Sequence, residues 1–107
     1  MATLAVQQIA VTGTAPTYAA ASAGGDGANP QDRTCLHVKN GGGASINVTL
    51  LVPGSTYGQP NPDPVIAVPA GAERFIYLPP ALGDPSTGLV SWTYSAVTSV
   101  TAALLGV

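Results

Sequence analysis

Two runs of alternating apolar and polar residues, joined by a glycine-rich connection, form the clearest pattern in the chain. In the first run Leu36 and Val38 share one face, while Cys35, His37 and Lys39 share the other. In the second run every other residue from 46 to 52 is apolar. Period-two alternation is typical of half-buried strands, and a glycine-rich connection between two such runs is typical of a hairpin. The pattern therefore predicts a β-hairpin over residues 33–52.

Shorter alternating segments lie on both sides of this hairpin. In the first of them the apolar positions change parity near Gln7 and Gln8, which indicates a bulge or an exchange of strand partners. A later segment places Trp92 on one face with Val90 and Tyr94, and Trp92 is predicted to anchor the core because aromatic side chains bury the largest areas. The segments occupy residues 2–11, 17–21, 65–68, 73–78, 89–96 and 99–105.

This pattern amounts to about seven or eight strands at intervals near a dozen residues, without a convincing helix. Such spacing is typical of an all-β sandwich. We therefore predict one domain over residues 1–107, built as a single antiparallel β-sandwich. Jelly-roll and Greek-key connections are both compatible with the pattern.

Two segments are predicted to be loops. Residues 22–32 are rich in glycine and contain Asp26 and Asn29, a composition typical of a loop. Residues 53–64 contain four prolines, including Pro60 and Pro62, and are predicted to be extended and irregular. Tyr57 lies between two glycines and is a candidate contact residue, since aromatic residues are enriched at interfaces. A tyrosine that covers its own loop would have the same sequence context.

Charge is sparse in this chain. Its 107 residues include three basic and five acidic residues, and the net charge is −2. Soluble domains usually carry about a quarter charged residues, so a surface largely occupied by neighbouring molecules is favoured. No basic cluster supports nucleic-acid binding, and no apolar run reaches the ~18 residues of a membrane helix. The start of the chain lacks the pattern of a signal peptide, which favours synthesis in the cytoplasm.

Candidate chemistry is confined to Cys35 and His37. Residues two apart on a strand point the same way but lie ~6.5–7 Å apart at the backbone, which is long for a catalytic dyad. The glycines at 41–43 lack the following helix of a phosphate-binding loop, and Asp26 with Asp32 does not match a calcium-binding loop. We therefore expect neither an enzyme nor a cofactor or metal.

Four segments resemble a family of small β-rich virion proteins of tailed bacteriophages. Residues 32–42 (DRTCLHVKNGG) are similar to its RTFLHVKNGG signature, and residues 68–74 (VPAGAER) to its VPAGGEK turn. Residues 89–104 (LVSWTYSAVTSVTAAL) are similar to its C-terminal segment, and residues 15–21 (APTYAAA) also fit. The chain departs from the family at Cys35, where an aromatic residue is common, and in the proline-rich residues 53–64.

The resemblance implies a head decoration or minor capsid protein on the capsid surface, made in the cytoplasm of the bacterial host. It implies binding to the major capsid protein, often as a homotrimer. A neck or tail component, or a module that binds carbohydrate or the host surface, remains an alternative. The loops are expected to make the contacts, together with one terminus. The candidate contact residues are Tyr57, Pro60, Pro62, Asp26 and Asn29.

Overall fold

The computed structural model of the protein describes residues 2–106, so the two terminal residues of the predicted domain lie outside the described range. The all-β class is confirmed. This range contains twelve strands and one turn of 3₁₀ helix at Pro80–Leu82, more strands than predicted because several span only two or three residues. The strands are β1 (Ala2–Leu4), β2 (Val6–Gln8), β3 (Ala19–Ala20), β4 (Asp26–Ala28), β5 (Thr34–Asn40), β6 (Ile46–Leu50), β7 (Ser55–Thr56), β8 (Gln59–Pro60), β9 (Val65–Val68), β10 (Glu73–Tyr77), β11 (Val90–Tyr94) and β12 (Val100–Gly106).

Two sheets form the sandwich. The first has the order β1-β4-β11-β6-β9, and the second has the order β10-β5-β12-β2, with β3 also paired to β12. β7 and β8 form a separate two-stranded hairpin. No helix in the described range is long and apolar enough to span a membrane.

The chain changes sheets inside its first predicted strand. β1 pairs with β4 in the first sheet, whereas β2 pairs with β12 in the second, and only Ala5 separates them. An exchange of partners therefore occurs within this segment, but at Ala5; the predicted position near Gln7 and Gln8 is wrong, because Val6–Gln8 pairs with β12 without interruption. Both pairings are parallel, so the prediction of a wholly antiparallel sandwich is wrong at these two strands.

The predicted hairpin over residues 33–52 is also wrong, although both of its strands exist. β5 is hydrogen-bonded to β10 and β12, while β6 lies in the other sheet between β11 and β9. The glycine-rich connection carries the chain from one sheet to the other at one end of the sandwich. A Cβ atom at Gly41 would lie 3.1 Å from the carbonyl oxygen of Ser99, and one at Gly42 would lie 3.1 Å from that of Thr98. These glycines therefore permit a close backbone approach rather than a hairpin turn.

The facing sides of the two sheets form one hydrophobic core. Trp92 is 0% exposed and is confirmed as the core anchor. An aromatic side chain buries about 150–250 Å², which corresponds to about 4–6 kcal/mol of hydrophobic stabilisation as an upper bound. The alternating core positions of β5, β6, β11 and β12 are Leu36, Val38, Ile46, Val48, Leu50, Val90, Trp92, Val100, Ala102 and Leu104.

A buried polar chain crosses the first sheet. The indole Nε1 of Trp92 donates to the hydroxyl of Tyr94 (2.8 Å), which in turn donates to Oδ2 of Asp26 (2.8 Å). Asp26 is 1% exposed and belongs to β4, all of which is buried. The prediction that residues 22–32 form a solvated loop is therefore wrong for Asp26–Ala28, because β11 pairs with this segment.

Asn40 joins two connections at one end of the sandwich, the one between β5 and β6 and the one between β9 and β10. Its Nδ2 donates to the carbonyl oxygens of Ala44 (2.8 Å) and Val68 (3.0 Å), and its Oδ1 accepts from the N–H of Gly42 (3.0 Å). Its backbone exchanges two further hydrogen bonds with the turn at 69–72 (2.9 and 2.8 Å). Asn40 is 1% exposed, so this side chain replaces the water that these loops would otherwise bind.

Candidate interaction surfaces

Residues 53–64, called the arm below, contain a small β-hairpin where an irregular loop was predicted. β7 and β8 pair antiparallel, and residues 54–60 are all exposed. Asn61 closes the base of the hairpin: its Nδ2 donates to the carbonyl oxygen of Pro53 (3.1 Å), and its Oδ1 accepts from the hydroxyl of Thr56 (2.7 Å). The arm is thus held by hydrogen bonds in addition to its prolines.

Tyr57 occupies the tip of the arm. It is fully exposed, with φ of +53°, and the following Gly58 has φ of +77°. Two successive residues with positive φ define a type I′ turn, for which Asn-Gly and Asp-Gly are the favoured pairs. Tyrosine therefore makes this turn slightly less stable than asparagine would, and its side chain is not buried within its own chain. The alternative that Tyr57 covers its own loop is excluded by this exposure.

Other predicted contact residues lie at the same end of the sandwich as the arm. Pro60, Pro62 and Asn29 are exposed. Pro30, next to Asn29, approaches Gly83 so closely that a Cβ there would lie 2.9 Å from the proline ring. A cleft of about 170 Å³ then links the loop around Gly83 to the base of the arm. The cleft is lined by Leu51, Val52, Pro53, Asp63, Leu82, Asp84, Leu89 and Ser91.

Asp26 does not belong to this surface. Its side chain is buried within the first sheet and accepts a hydrogen bond from Tyr94. The prediction that Asp26 contacts a partner is therefore wrong: strand pairing in β4 turns this residue inward, although the surrounding sequence has the composition of a loop.

The structure also reveals an aromatic surface that the sequence analysis did not single out. Phe75 and Tyr77 on β10 are 63% and 60% exposed and share the outer face of the second sheet. The Phe75 ring stacks on that of His37, with centroids 4.0 Å apart and an angle of 8° between the planes. Tyr18 lies on the other side of His37, and its hydroxyl is 2.6 Å from Nδ1. These four residues are called the aromatic face below.

One feature of the sequence indicates this surface: apolar residues occupy both faces of β10. Ile76 on β10 and Leu78 directly after it already supply buried apolar side chains on the inner face. Phe75 and Tyr77 make the opposite face apolar as well. An edge strand with two apolar faces exposes one of them unless a partner covers it, and exposed apolar patches mark interaction sites.

The structure defines the surroundings of Cys35 and His37. Burial raises the pKa of the Cys35 thiol, which disfavours the nucleophilic thiolate. His37 is 4% exposed; Tyr18 lies at one ring nitrogen, and the carboxylate of Glu73 lies 3.4 Å from the other. Nδ1 is therefore within hydrogen-bonding distance of Tyr18, whereas the buried Nε2 makes no hydrogen bond within the described residues, and the aromatic stacking with Phe75 fixes the plane of the ring.

The fold and these surfaces define a small β-sandwich with an exposed aromatic arm and an exposed aromatic edge strand. Comparisons of the chain with protein-family models, curated proteins and solved structures find no match. The resemblance to phage virion proteins therefore stays a prediction.

Proposed function

We propose that this protein is a structural virion component, a decoration or minor capsid protein that binds the outside of a phage head. There it would reinforce the contacts between major capsid subunits. A protein that binds only the assembled shell stabilises that shell by mass action. The sequence segments around residues 32–42 and 89–104 supply the family resemblance on which the choice of partner rests.

The observation that carries the proposal is the exposed Tyr57 at the tip of the arm. Aromatic residues that insert into a pocket of a partner are typical centres of binding energy. The turn conformation favours asparagine over tyrosine at this position, so the side chain is better explained by contact with a partner than by the stability of the hairpin. The hydrogen bonds of Asn61 keep the arm ordered before binding, which reduces the entropy lost on association.

The low charge of the chain supports the same proposal. With eight charged residues among 107, the surface offers little like-charge repulsion to closely packed neighbours. Assembly as a homotrimer around a symmetry axis of the shell belongs to this proposal, because the resemblance implies it. In that arrangement the arm of each copy would reach a neighbouring capsid subunit.

Replacing Tyr57 by asparagine tests the proposal. We expect the variant to fold with unchanged or slightly higher stability, because asparagine suits the type I′ turn. We expect its affinity for assembled heads to fall by about 10- to 100-fold, the usual loss when an aromatic hot spot is removed. Co-sedimentation with purified heads that lack the protein, across a concentration series, measures the affinity.

The matched control is Thr98→Asn, an exposed position in the connection between β11 and β12 at the opposite end of the sandwich. It should bind as the unmodified protein does. Binding of the Tyr57→Asn variant at full affinity would exclude the arm as the contact. Absence of binding by the unmodified protein would exclude the decoration role itself.

A module that binds carbohydrate or the host surface is the second candidate function. The exposed rings of Phe75 and Tyr77 favour it, since flat aromatic side chains can stack on the apolar faces of sugar rings. A glycan array distinguishes the two functions: signals lost in a Tyr77→Ala variant would support carbohydrate binding, and an array without signals would count against it.

A neck or tail component would differ from a head protein only in its partner, and electron microscopy of labelled virions would locate it.

A further inference from the structure

β10 is the longest free sheet edge in the range 2–106. The free edges belong to β1, β9, β10, the side formed by β2 and β3, and both strands of the β7–β8 hairpin. The edge strands other than β10 are two to four residues long, and β9 is also flanked by Pro64 and Pro69. β10 has five residues, contains no proline, and pairs with β5 in an uninterrupted register. Soluble proteins usually protect an edge with short strands, prolines, bulges or charged side chains. β10 has only the last of these, in the exposed Glu73 and Arg74 at its start, and its second half is uncharged.

The outward-facing backbone groups of β10 belong to residues whose side chains are exposed. The N–H of Leu78 donates to Thr34 (3.1 Å), and the N–H of Asn40 donates to Ala72 (2.9 Å). Backbone groups alternate in direction along a strand. The even-numbered residues of β10 therefore bond to β5, and Glu73, Phe75 and Tyr77 direct their N–H and C=O groups to the free edge.

We propose that β10 pairs antiparallel with β10 of a second copy of this chain, about a twofold axis at Phe75. This register places Phe75 opposite its own copy and Tyr77 opposite Glu73 of that copy. It extends the second sheet through both protomers and continues the row of rings formed by Tyr18, His37 and Phe75 across the axis. The inference goes beyond the proposed function and does not depend on it: a homotrimer would form through a different surface, and pairing of β10 would join two such trimers.

The choice of a second copy as the occupant rests on self-complementarity. A twofold interface brings the same surface of both copies together, so a like-charge pair at the axis would oppose it. In this register neither Glu73 nor Arg74 faces its own copy, since Glu73 meets Tyr77 and Arg74 meets Ile76. The residue at the axis is an uncharged aromatic, and directly opposed aromatic pairs stabilise antiparallel strands.

Disulfide trapping in the purified full chain tests the register. In a Cys35→Ala background, Phe75→Cys is expected to form a covalent dimer within minutes under a mild oxidant. Residues that exchange backbone hydrogen bonds have Cα atoms ~5.5 Å apart, within the ~4.4–6.8 Å that a disulfide needs. Tyr77→Cys in the same background is the matched control. Its copies would lie four residues out of register, ~13 Å apart along the strand, and it should stay monomeric on the same time scale.

Solution mass provides the second readout. Static light scattering of the unmodified protein at about 0.2 mM should give a particle mass that is an even multiple of the chain mass of 10.6 kDa. The Phe75→Glu variant should have half the particle mass of the unmodified protein. Circular dichroism establishes that this variant is folded. A monomeric or strictly trimeric unmodified protein, an unchanged mass for a folded Phe75→Glu variant, or equal crosslinking at positions 75 and 77 would each overturn the proposal.

Discussion

Replacing Asn40 by alanine is expected to lower the free energy of unfolding by about 3–5 kcal/mol. The substitution leaves the carbonyl oxygens of Ala44 and Val68 and the N–H of Gly42 without the amide that binds them. A buried polar group that loses its partner costs about 1–3 kcal/mol. Three hydrogen bonds depend on this one side chain, so the loss is larger than for an ordinary hydrogen bond.

Urea denaturation followed by tryptophan fluorescence measures this loss, since Trp92 is buried in the core. Asn47→Ala is the matched control, because Asn47 is exposed on β6, and exposed substitutions usually change stability by less than about 0.5 kcal/mol. If Asn40→Ala proved no more destabilising than Asn47→Ala, the role of Asn40 as the polar centre of this end of the sandwich would be refuted.

Replacing Tyr94 by phenylalanine is expected to cost about 2–4 kcal/mol. The ring stays in place, but its hydroxyl no longer accepts from Trp92 or donates to Asp26. Both neighbours are at most 1% exposed, so water does not replace the missing partner, and each loss falls in the range of about 1–3 kcal/mol. Thermal and urea unfolding measure the difference.

The control for this substitution is Tyr77→Phe, which removes a hydroxyl that is largely exposed on the outer face of β10. Its effect should be within about 0.5 kcal/mol. Adding Asp26→Asn to Tyr94→Phe should cost less than the sum of the two single changes, because both disrupt the same contact. Strict additivity would mean that the hydrogen bond between Tyr94 and Asp26 does not contribute as the geometry implies.

The same tyrosine predicts a loss of stability at alkaline pH. Burial raises the pKa of the Tyr94 phenol well above its ordinary value, the indole of Trp92 lowers it, and the hydrogen bond and charge of Asp26 raise it further. Above about pH 10 the unfolded chain releases this proton while the folded chain retains it. The stability that Tyr94 supplies below that pH is therefore lost as the pH rises, and urea midpoints between about pH 9 and 11 should fall less steeply for Tyr94→Phe. Parallel slopes would contradict this.

Strand positions were predictable from the sequence, whereas strand pairing was not. The alternation in β5, β6, β11 and β12 reports which face of each strand is buried, and it identified Trp92 correctly. It contains no information about which strand lies alongside. For this reason a glycine-rich connection that crosses between the sheets was interpreted as a hairpin. The three residues of β4 are also too few to show a period, so their burial could not be predicted.

Among the candidate contact residues, too, local features were predictable from the sequence and features set by strand pairing were not. The exposure of Tyr57, Pro60, Pro62 and Asn29 could be predicted because proline, glycine and asparagine report local backbone preferences. The burial of Asp26 and the position of Phe75 at a free edge depend on pairing with strands far away in sequence. The aromatic face becomes recognisable only when β10 is known to be an edge strand, since the same alternation in a central strand could lie beneath a covering loop.

The parallel pairing of β2 with β12 has a mechanical consequence. The chain enters β2 from its N-terminal side and leaves β12 on its C-terminal side, and the two strands run in the same direction. Tension between the two termini therefore pulls these strands past each other along their axes. Their hydrogen bonds are loaded in shear, all at once, instead of being opened one after another. This geometry resists stretching between the ends of the chain through a slow rate of forced unfolding, and not through equilibrium stability alone.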